Sequence, residues 1–282
     1  YISTESLSLL SENNRTVVLL DNRGKQVTLC HGIRDSLTAT KYRIAQYDTF
    51  RDKTKRDYLV QQILKAKLQS QIRFLKSTNN PKILQNINKL EKSGISEAVS
   101  SRYYFDNYTK LIDVRFGFKK RNSVRIEKKN ATDVINALLN YGYAVLAGQI
   151  SSYINGVGLD AYYGFMHKNH TSFQSLVYDV MEPFRWLVDY SVWKLSDAKS
   201  RNRISKKQYA YTRDGIVVLE YDLIRKFLEL LERTFQKERK YAYRHGAFTK
   251  DGLKSVQEIT VAKILIQNLA DFCNGKIDEF KI

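Results

Sequence analysis

The chain has 282 residues, 43% of them hydrophobic, which is enough for one large domain or two modest ones. Its 47 lysines and arginines outnumber 29 acidic residues, and the resulting formal charge of +18 favours a polyanionic partner, nucleic acid first. Cys30 and Cys273 lie too far apart in sequence to indicate a disulfide framework or a thiolate metal site. With no bilayer-length apolar run and no signal-peptide pattern, we expect a cytoplasmic protein without membrane contact.

The first 30 residues predict a small α/β unit. Ser3 is a suitable N-cap for a helix in STESLSLLSENN, and RTVVLL and KQVTLC are β-rich runs joined by DNRG. A lone two-stranded hairpin is marginal, and the chain begins without Met, so we expect the remainder of a larger β domain whose earlier strands are missing. The predicted division is residues 1–45 for this unit, a basic linker at 46–57, and a helical catalytic domain at 58–282.

The rest of the chain has mainly helical patterns. Apolar residues recur at three- and four-residue intervals after Tyr58, and Pro81 opens a helix that ends before Gly94. DVINALLNYGYAVLAGQISSYINGVG is apolar almost all round, which predicts a buried central helix. GIVVLEYDLIRKFLELLERTF and KSVQEITVAKILIQNLADFC predict two further amphipathic helices. The predicted fold class is therefore α+β, with a small N-terminal β domain and a large, mainly α-helical domain.

Four basic clusters with interleaved aromatic residues predict nucleic-acid binding. They are KYRIAQYDTFRDKTKRDY, FKKRNSVRIEKK, KSRNRISKKQYAYTR and RTFQKERKYAYRHGAFTK. Lysine and arginine neutralise phosphates, and aromatic rings offer faces to unpaired bases. Any one cluster is equally compatible with a solvated surface, but all of them together favour DNA. Candidate contact residues are Arg102, Lys119, Lys120, Arg121, Arg201 and Arg203.

Histidine and acidic residues gather in the segment GLDAYYGFMHKNHTSFQSLVYDVMEPFR. Asp179 and Glu182 have the i, i+3 spacing that places both on one side of a helical turn, and Pro183 predicts that this helix begins near Asp179. Both acids could equally be helix caps, and His167 could be a loop residue on the surface. A zinc pair of His167 and His170 is a weaker alternative, because no cysteine lies nearby.

These segments, with the helix SEAVSSRYYF that carries Glu97, resemble the Cas1 proteins of CRISPR adaptation. SEAVSSRYYF is similar to the glutamate motif of that family, NALLNYGYAVL to its central helix, GLDAYYGFMH to its histidine motif and SLVYDVMEPFR to its acidic motif. The resemblance implies that Glu97, His167 and Glu182 are metal ligands, with Asp179 as a supporting carboxylate. Two carboxylates and one imidazole suit Mg²⁺ or Mn²⁺.

The resemblance also implies an activity and partners. The implied activity is that of a metal-dependent DNA endonuclease and integrase, which joins prespacer 3′-OH ends to a CRISPR repeat by transesterification. The implied assembly is a homodimer that partners the small protein Cas2. Two alternatives stay open: a related transposon integrase that works without Cas2, and a non-catalytic, basic, helical DNA-binding protein.

Overall fold

The computed structural model describes residues 2–13, 15, 17–20, 26–30, 37–94, 96–121, 131–167, 173–197, 200, 203–242 and 253–281. Its helices are α1 Thr4–Glu12, α2 Leu37–Arg51, α3 Lys53–Ser77, α4 Pro81–Leu84, α5 Ile87–Glu91, α6 Glu97–Tyr108, α7 Val134–Val157, α8 Ser175–Met181, α9 Arg185–Ser196, α10 Tyr221–Phe235 and α11 Glu258–Cys273. The strands β1 Val17–Leu20 and β2 Gln26–Cys30, β3 Tyr209–Tyr211 and β4 Val217–Leu219, and β5 Glu238–Ala242 and β6 Leu253–Gln257 form antiparallel pairs.

The predicted α+β fold class is confirmed, and so are the elements predicted at the N-terminus. Ser3 caps α1, since its side chain accepts a hydrogen bond from the backbone N–H of Ser6 at 3.1 Å. Strand β1 pairs with β2, with Val17 opposite Cys30. Within the described residues, no helix is long and apolar enough to cross a bilayer.

The segment predicted as a basic linker, residues 46–57, is helical in the structure. It covers the end of α2, then Asp52, then the start of α3. The Asp52 carboxylate accepts hydrogen bonds from the backbone N–H groups of Thr54 and Lys55, at 2.9 and 3.1 Å. One capping side chain therefore starts α3 directly after α2, without a connecting loop. The division of the chain into domains at this point stays a prediction.

Three further predictions about local structure were wrong in part. The helix predicted from Pro81 is divided into α4 and α5, because the Asn86 side chain donates to the Lys82 carbonyl at 2.8 Å and competes with the helical ladder. The segments predicted as the last two helices each begin with a strand, β4 and β6. Such short strands have too few residues to show an alternating pattern beside a strong helical one.

Helix α7 is the central element of the core, as its uniformly apolar sequence predicts. It packs against α8, α9, α10 and α11. The Asp133 side chain caps its start by accepting from the backbone of Asn136 at 2.8 Å. Gly158 ends it with φ of 97°, a left-handed conformation that residues with a side chain rarely adopt. The helices that carry the candidate site are thus placed around one rigid axis.

Gly142 marks the closest approach of α7 to its neighbours. A Cβ atom there would lie 2.5 Å from Val188 Cγ1 and 2.7 Å from Phe227 Cζ, and both neighbours are fully buried. The gain in helix propensity from alanine, about 1 kcal/mol, is opposed by an overpacking cost of about 1–3 kcal/mol. We expect Gly142→Ala to lower the free energy of unfolding, measured by urea denaturation, by up to about 2 kcal/mol.

Val188→Ala provides the control, because it removes the nearer methyl group. The double variant should be more stable than the sum of the two single effects predicts. Strict additivity would mean that the two residues are not in contact.

Candidate active site

Lys67 of α3 connects two of the predicted site residues. Its ammonium group lies 3.1 Å from Glu97 Oε1 and 2.7 Å from Glu182 Oε2. Glu97 is the first residue of α6, and Glu182 follows the last residue of α8. Lys67 itself is buried, so α3 brings a buried positive charge between two carboxylates that are distant in sequence.

Asp179 holds His167 and the backbone that precedes it. Its fully buried carboxylate accepts hydrogen bonds from the backbone N–H groups of Phe165, Met166 and His167, at 2.7, 3.0 and 2.9 Å. The same carboxylate lies 2.7 Å from His167 Nδ1. This contact fixes the imidazole orientation and leaves Nε2 as the ring nitrogen for a ligand. Asp179 is therefore not a cap of its own helix but a support for His167.

The predicted helix start near Asp179 was wrong. Helix α8 begins at Ser175, and Asp179 lies within it. The effect of Pro183 is at the other end: it has no N–H to donate to the Asp179 carbonyl, so the α-helical ladder stops. A 3₁₀ turn, Glu182–Phe184, then leads directly into α9. The proline thus places Glu182 at the junction of two helices, with its side chain only 2% exposed.

The irregular segment before His167 is tied down by two polar side chains. Gln46 of α2 is fully buried and donates to the carbonyls of Asp160 and Tyr163, at 3.0 and 2.9 Å. Its own oxygen accepts from the Asp160 N–H at 2.8 Å. Ser175 of α8 accepts from the Gly164 N–H at 2.8 Å. These bonds satisfy backbone groups that would otherwise be buried without partners, and they position His167.

The charge of Glu182 is set by two opposing effects. Burial, the larger single influence, would raise its pKa, but Arg185 and Lys67 together lower the pKa from 4.5 to about 2. Arg185 Nε donates to Glu182 Oε1 at 2.7 Å. Glu182 Oε2 is buried and lies 2.7 Å from the Lys67 ammonium group. Glu182 is therefore ionised, with one oxygen held by Arg185 and the other paired with Lys67.

His167 is drawn towards its positively charged form. Burial lowers the pKa of His167, but the hydrogen bond and charge of Asp179, with the charges of Glu182 and Glu97, outweigh burial and raise it above 6.5. Three carboxylates from two segments, Glu97 at the start of α6 and Asp179 and Glu182 in and after α8, thus act on one imidazole.

The donor set fits Mg²⁺ or Mn²⁺ in its chemistry. Glu182 offers a buried, ionised carboxylate, and Asp179 orients the imidazole of His167. In the described part of the chain, however, no three His, Cys, Asp or Glu residues are close enough to hold a metal ion. Lys67 lies between Glu97 and Glu182 instead. Metal binding by Glu97, His167 and Glu182 stays a prediction, and it requires the Lys67 ammonium group to move.

Four of the candidate DNA-binding residues are exposed, and a fifth lies outside the described residues. Lys119 and Lys120 are exposed, and so is Arg203. Arg102 is exposed on α6, with its guanidinium 5.1 Å from the centre of the Tyr103 ring. Arg201, like His170, falls outside the described residues. DNA contact by any of these residues stays a prediction.

Arg121 differs from the other candidates, because protein groups occupy its guanidinium. The guanidinium donates to Asn136 Oδ1 at 2.8 Å and to Asn140 Oδ1 at 2.6 Å, and it lies 5.3 Å from the centre of the Tyr143 ring. All three partners belong to α7. These contacts anchor the chain before α7 to the central helix, a structural role that the sequence did not indicate.

A buried acid supports Arg185 from the core. Asp189 of α9 is fully buried and accepts hydrogen bonds from the hydroxyl groups of Tyr104, at 2.6 Å, and Tyr143. The Tyr143 ring lies 4.7 Å from the Arg185 guanidinium, close enough for a cation–π contact. Asp189 therefore orients Tyr143, Tyr143 supports Arg185, and Arg185 holds Glu182.

The site residues that the sequence did not indicate are Gln46 and Lys67. Gln46 lies in the segment predicted as a linker, so it was not assigned to a helix face. Lys67 is four residues after the buried Ile63, and this spacing places it on the buried face of α3. The position of a lysine on the apolar face of a helix was the one feature of the sequence that could have indicated Lys67 as a site residue.

This is a mainly helical protein whose fold brings together a histidine paired with a buried carboxylate, two further carboxylates, and the cations Lys67 and Arg185. The family model described as CRISPR associated protein Cas1 matches residues 1–233. The chain belongs to the Cas1 family.

Curated relatives support this assignment. A CRISPR-associated endonuclease Cas1 of Archaeoglobus fulgidus is 28% identical, over 72% of this chain and 69% of the relative. Another, of Saccharolobus solfataricus, is 31% identical, over 67% of this chain and 59% of the relative. The chain thus shares the larger part of its length with both proteins.

Solved structures show the same fold. A casposase bound to an integration product superposes with a TM-score of 0.82 and 25% identity, over 100% of this chain and 77% of the casposase. A Cas1 protein from Thermotoga maritima gives a TM-score of 0.74 with 19% identity, over 98% of this chain and 83% of that protein. The second likeness is one of fold alone.

The pH dependence of stability provides a test of the Asp189 cluster. Burial raises the pKa of Asp189 from 3.8 to about 6, although its tyrosine hydrogen bonds act against this. Because the folded state keeps the proton to a higher pH than the unfolded state, the free energy of unfolding should fall as the pH rises from about 4 to about 6, by up to about 3 kcal/mol. Asp189→Asn cannot titrate and should lack this decrease.

The measurement is urea denaturation of both proteins at a series of pH values. The free energy of unfolding of Asp189→Asn minus that of the wild type should rise through this pH range and level off above it. A difference that is independent of pH would contradict a raised pKa at Asp189.

Proposed function

We propose that this chain is a metal-dependent DNA endonuclease and integrase of CRISPR adaptation, which joins prespacer 3′-OH ends to a CRISPR repeat by transesterification. The observation that carries the proposal is the site itself: an imidazole that Asp179 orients and that the charges of Glu97 and Glu182 also reach, in a Cas1-family chain. The names of the relatives support it, since two of them are called endonucleases and the casposase was solved with an integration product.

In this proposal Glu97, His167 and Glu182 hold Mg²⁺ or Mn²⁺. When bound, such an ion supplies a Lewis acid for the scissile phosphate. Glu182 suits this role because its low pKa keeps the carboxylate ionised at any physiological pH. Asp179 keeps His167 Nδ1 occupied, so that Nε2 is the nitrogen available as a ligand. The attacking hydroxyl belongs to DNA, and no protein nucleophile is required.

The proposed partners are DNA, Cas2 and a second copy of the chain. The formal charge of +18 suits a polyanion, and the proposed DNA is the prespacer, the CRISPR repeat and their branched product. A Cas6-RT-Cas1–Cas2 complex shares the fold, with a TM-score of 0.75 at 18% identity over 99% of this chain. Membership of the same family supports Cas2 and homodimerisation here as well.

A transposon integrase that works without Cas2 is the second candidate. It is favoured by the casposase likeness, which combines a TM-score of 0.82 with coverage of the whole chain. Both candidates use the same site, so the site cannot distinguish the two functions. A requirement for Cas2 can distinguish them.

An integration assay tests the proposed function. A labelled prespacer and a supercoiled plasmid that carries a repeat are incubated with the protein and Mn²⁺, with and without Cas2. We expect Glu97→Ala and His167→Ala to reduce integration by at least about 100-fold, because each removes a proposed ligand. Their DNA affinity should stay within about twofold of the wild type, because phosphate contacts remain.

Glu91→Ala is the matched control, because Glu91 is a glutamate of α5 whose partner, Lys76, is 53% exposed. It should integrate like the wild type. Normal integration by the Glu97 and His167 variants would mean that the ligands are misassigned. A wild-type protein that binds DNA but does not integrate it, with or without Cas2, would be a non-catalytic DNA-binding protein. Full activity without Cas2 would favour the transposon integrase.

Charge reversal at two exposed lysines tests the DNA surface. Lys119→Glu combined with Lys120→Glu should weaken DNA binding, and most strongly at low salt, because exposed charges are screened as ionic strength rises. Fluorescence anisotropy at several salt concentrations measures this. Arg121→Gln is the contrast: its guanidinium is bound by α7, so it should lower stability and leave the salt dependence unchanged. Wild-type affinity in the double variant would remove this cluster from the DNA surface.

A further inference from the structure

We propose that the Lys67 ammonium group is a built-in counter-cation, which holds Glu97 and Glu182 in place before a divalent ion binds and which that ion displaces. The inference deepens the proposed function and rests on it. It makes Lys67 a positioning residue of the site, although Lys67 belongs to none of the segments that resemble the family motifs.

The burial of Lys67 is the first argument. Lysine is almost never buried unless its charge is paired, and the Lys67 side chain is only 8% exposed. Lys65 and Lys76 on the same helix are exposed, so α3 has room for lysine on its solvent side. Lys67 instead lies on the inner face with Ile63 and Phe74. Its position is explained by the two carboxylates that it meets there.

The second argument is the difference between the two cations at Glu182. Arg185 is fixed: it donates to Oε1 and packs against the Tyr143 ring. Lys67 meets Oε2, and its charge lies at the end of a flexible four-carbon stem. Lys67 can therefore leave Glu182 without disturbing Arg185. A compact positive charge between two carboxylates occupies the position that a divalent ion would need.

Competition has consequences that an ordinary ion pair does not share. Removing a buried lysine destabilises the protein whether the lysine is an ordinary ion-pair partner or a competitor of a divalent ion. In both cases a buried carboxylate loses a compensating positive charge. Only a competing cation, when removed, also makes a divalent ion bind more tightly. Removing the Lys67 charge should therefore lower the stability of the metal-free protein and raise its affinity for a divalent ion.

The experiment compares Lys67→Met with Lys76→Met, a matched control on the same helix, where Lys76 pairs with Glu91 at 2.7 Å in an exposed position. Mn²⁺ is titrated into each protein and followed by electron paramagnetic resonance, and melting temperatures are measured with and without Mn²⁺. Without metal, Lys67→Met should melt roughly 5 °C lower than the wild type. It should bind Mn²⁺ roughly tenfold more tightly, whereas Lys76→Met should match the wild type in both measurements.

Equal or weaker Mn²⁺ binding by folded Lys67→Met overturns the inference. If Lys67→Met does not fold, Lys67→Arg replaces it: a charged, forked group that holds both carboxylates should weaken Mn²⁺ binding, and unchanged binding overturns the inference. If the wild type binds Mn²⁺ and Lys67→Met binds it with the same affinity, the counter-cation is rejected and the proposed function is left intact. If only Lys67→Met binds Mn²⁺, the counter-cation is supported and metal dependence of the natural chain is contradicted. If neither protein binds Mn²⁺, both the counter-cation and metal dependence are contradicted.

Discussion

The burial of the Glu182 carboxylate is the constraint on which the rest of the site depends. An ionised carboxylate that is 2% exposed must be compensated by nearby positive charge, since its desolvation is otherwise very unfavourable. Arg185 supplies one cation from the next turn of the chain, and Lys67 supplies another from α3. This requirement fixes α3 against the junction of α8 and α9. Lys67 then also reaches Glu97, so one buried acid determines where the start of α6 can lie.

Each charged residue at the site is held by a second layer of polar groups. Tyr143 and Asp189 support Arg185, and Asp179 supports His167 together with the backbone before it. Gln46 supports that backbone from α2. Tyr143 belongs to α7, and Asp179 and Asp189 belong to α8 and α9, which pack on α7, so the central helix positions charged site residues that lie on other helices. A site assembled in this way depends on the fold of most of the chain.

The sequence predicts individual elements well where the determining contact is local. The cap at Ser3 and the long apolar helix that ends at Gly158 depend on neighbouring residues and on periodicity, and both are confirmed. The resemblance implied that Asp179 supports the site, and the structure shows that it does so by contacting His167. What decides the roles of Lys67 and Gln46 is a partner from a distant segment, and no local pattern contains that information.

Pro183 and Arg121 show the same limit in a different form. The rule that proline occurs in the first helical turn is compatible with a helix that starts near Asp179, but here the proline separates two consecutive helices. An arginine in a basic cluster is equally compatible with a phosphate contact and with the two asparagines that Arg121 in fact meets. In both cases the sequence restricts the alternatives, and tertiary packing selects among them.

The balance of charge at the site bears on how a basic protein can bring DNA to an acidic centre. Glu97, Asp179 and Glu182 alone would repel a phosphate backbone, and the attraction of the surrounding surface would be weakest where chemistry must occur. Lys67 and Arg185 offset two of these charges, and the raised pKa of His167 acts in the same direction. In the proposed reaction, DNA can therefore approach a nearly neutral site before any divalent ion is bound. In the proposed exchange, an ion held between the carboxylates would release the Lys67 ammonium group, whose positive charge would then be available to a DNA phosphate at the site.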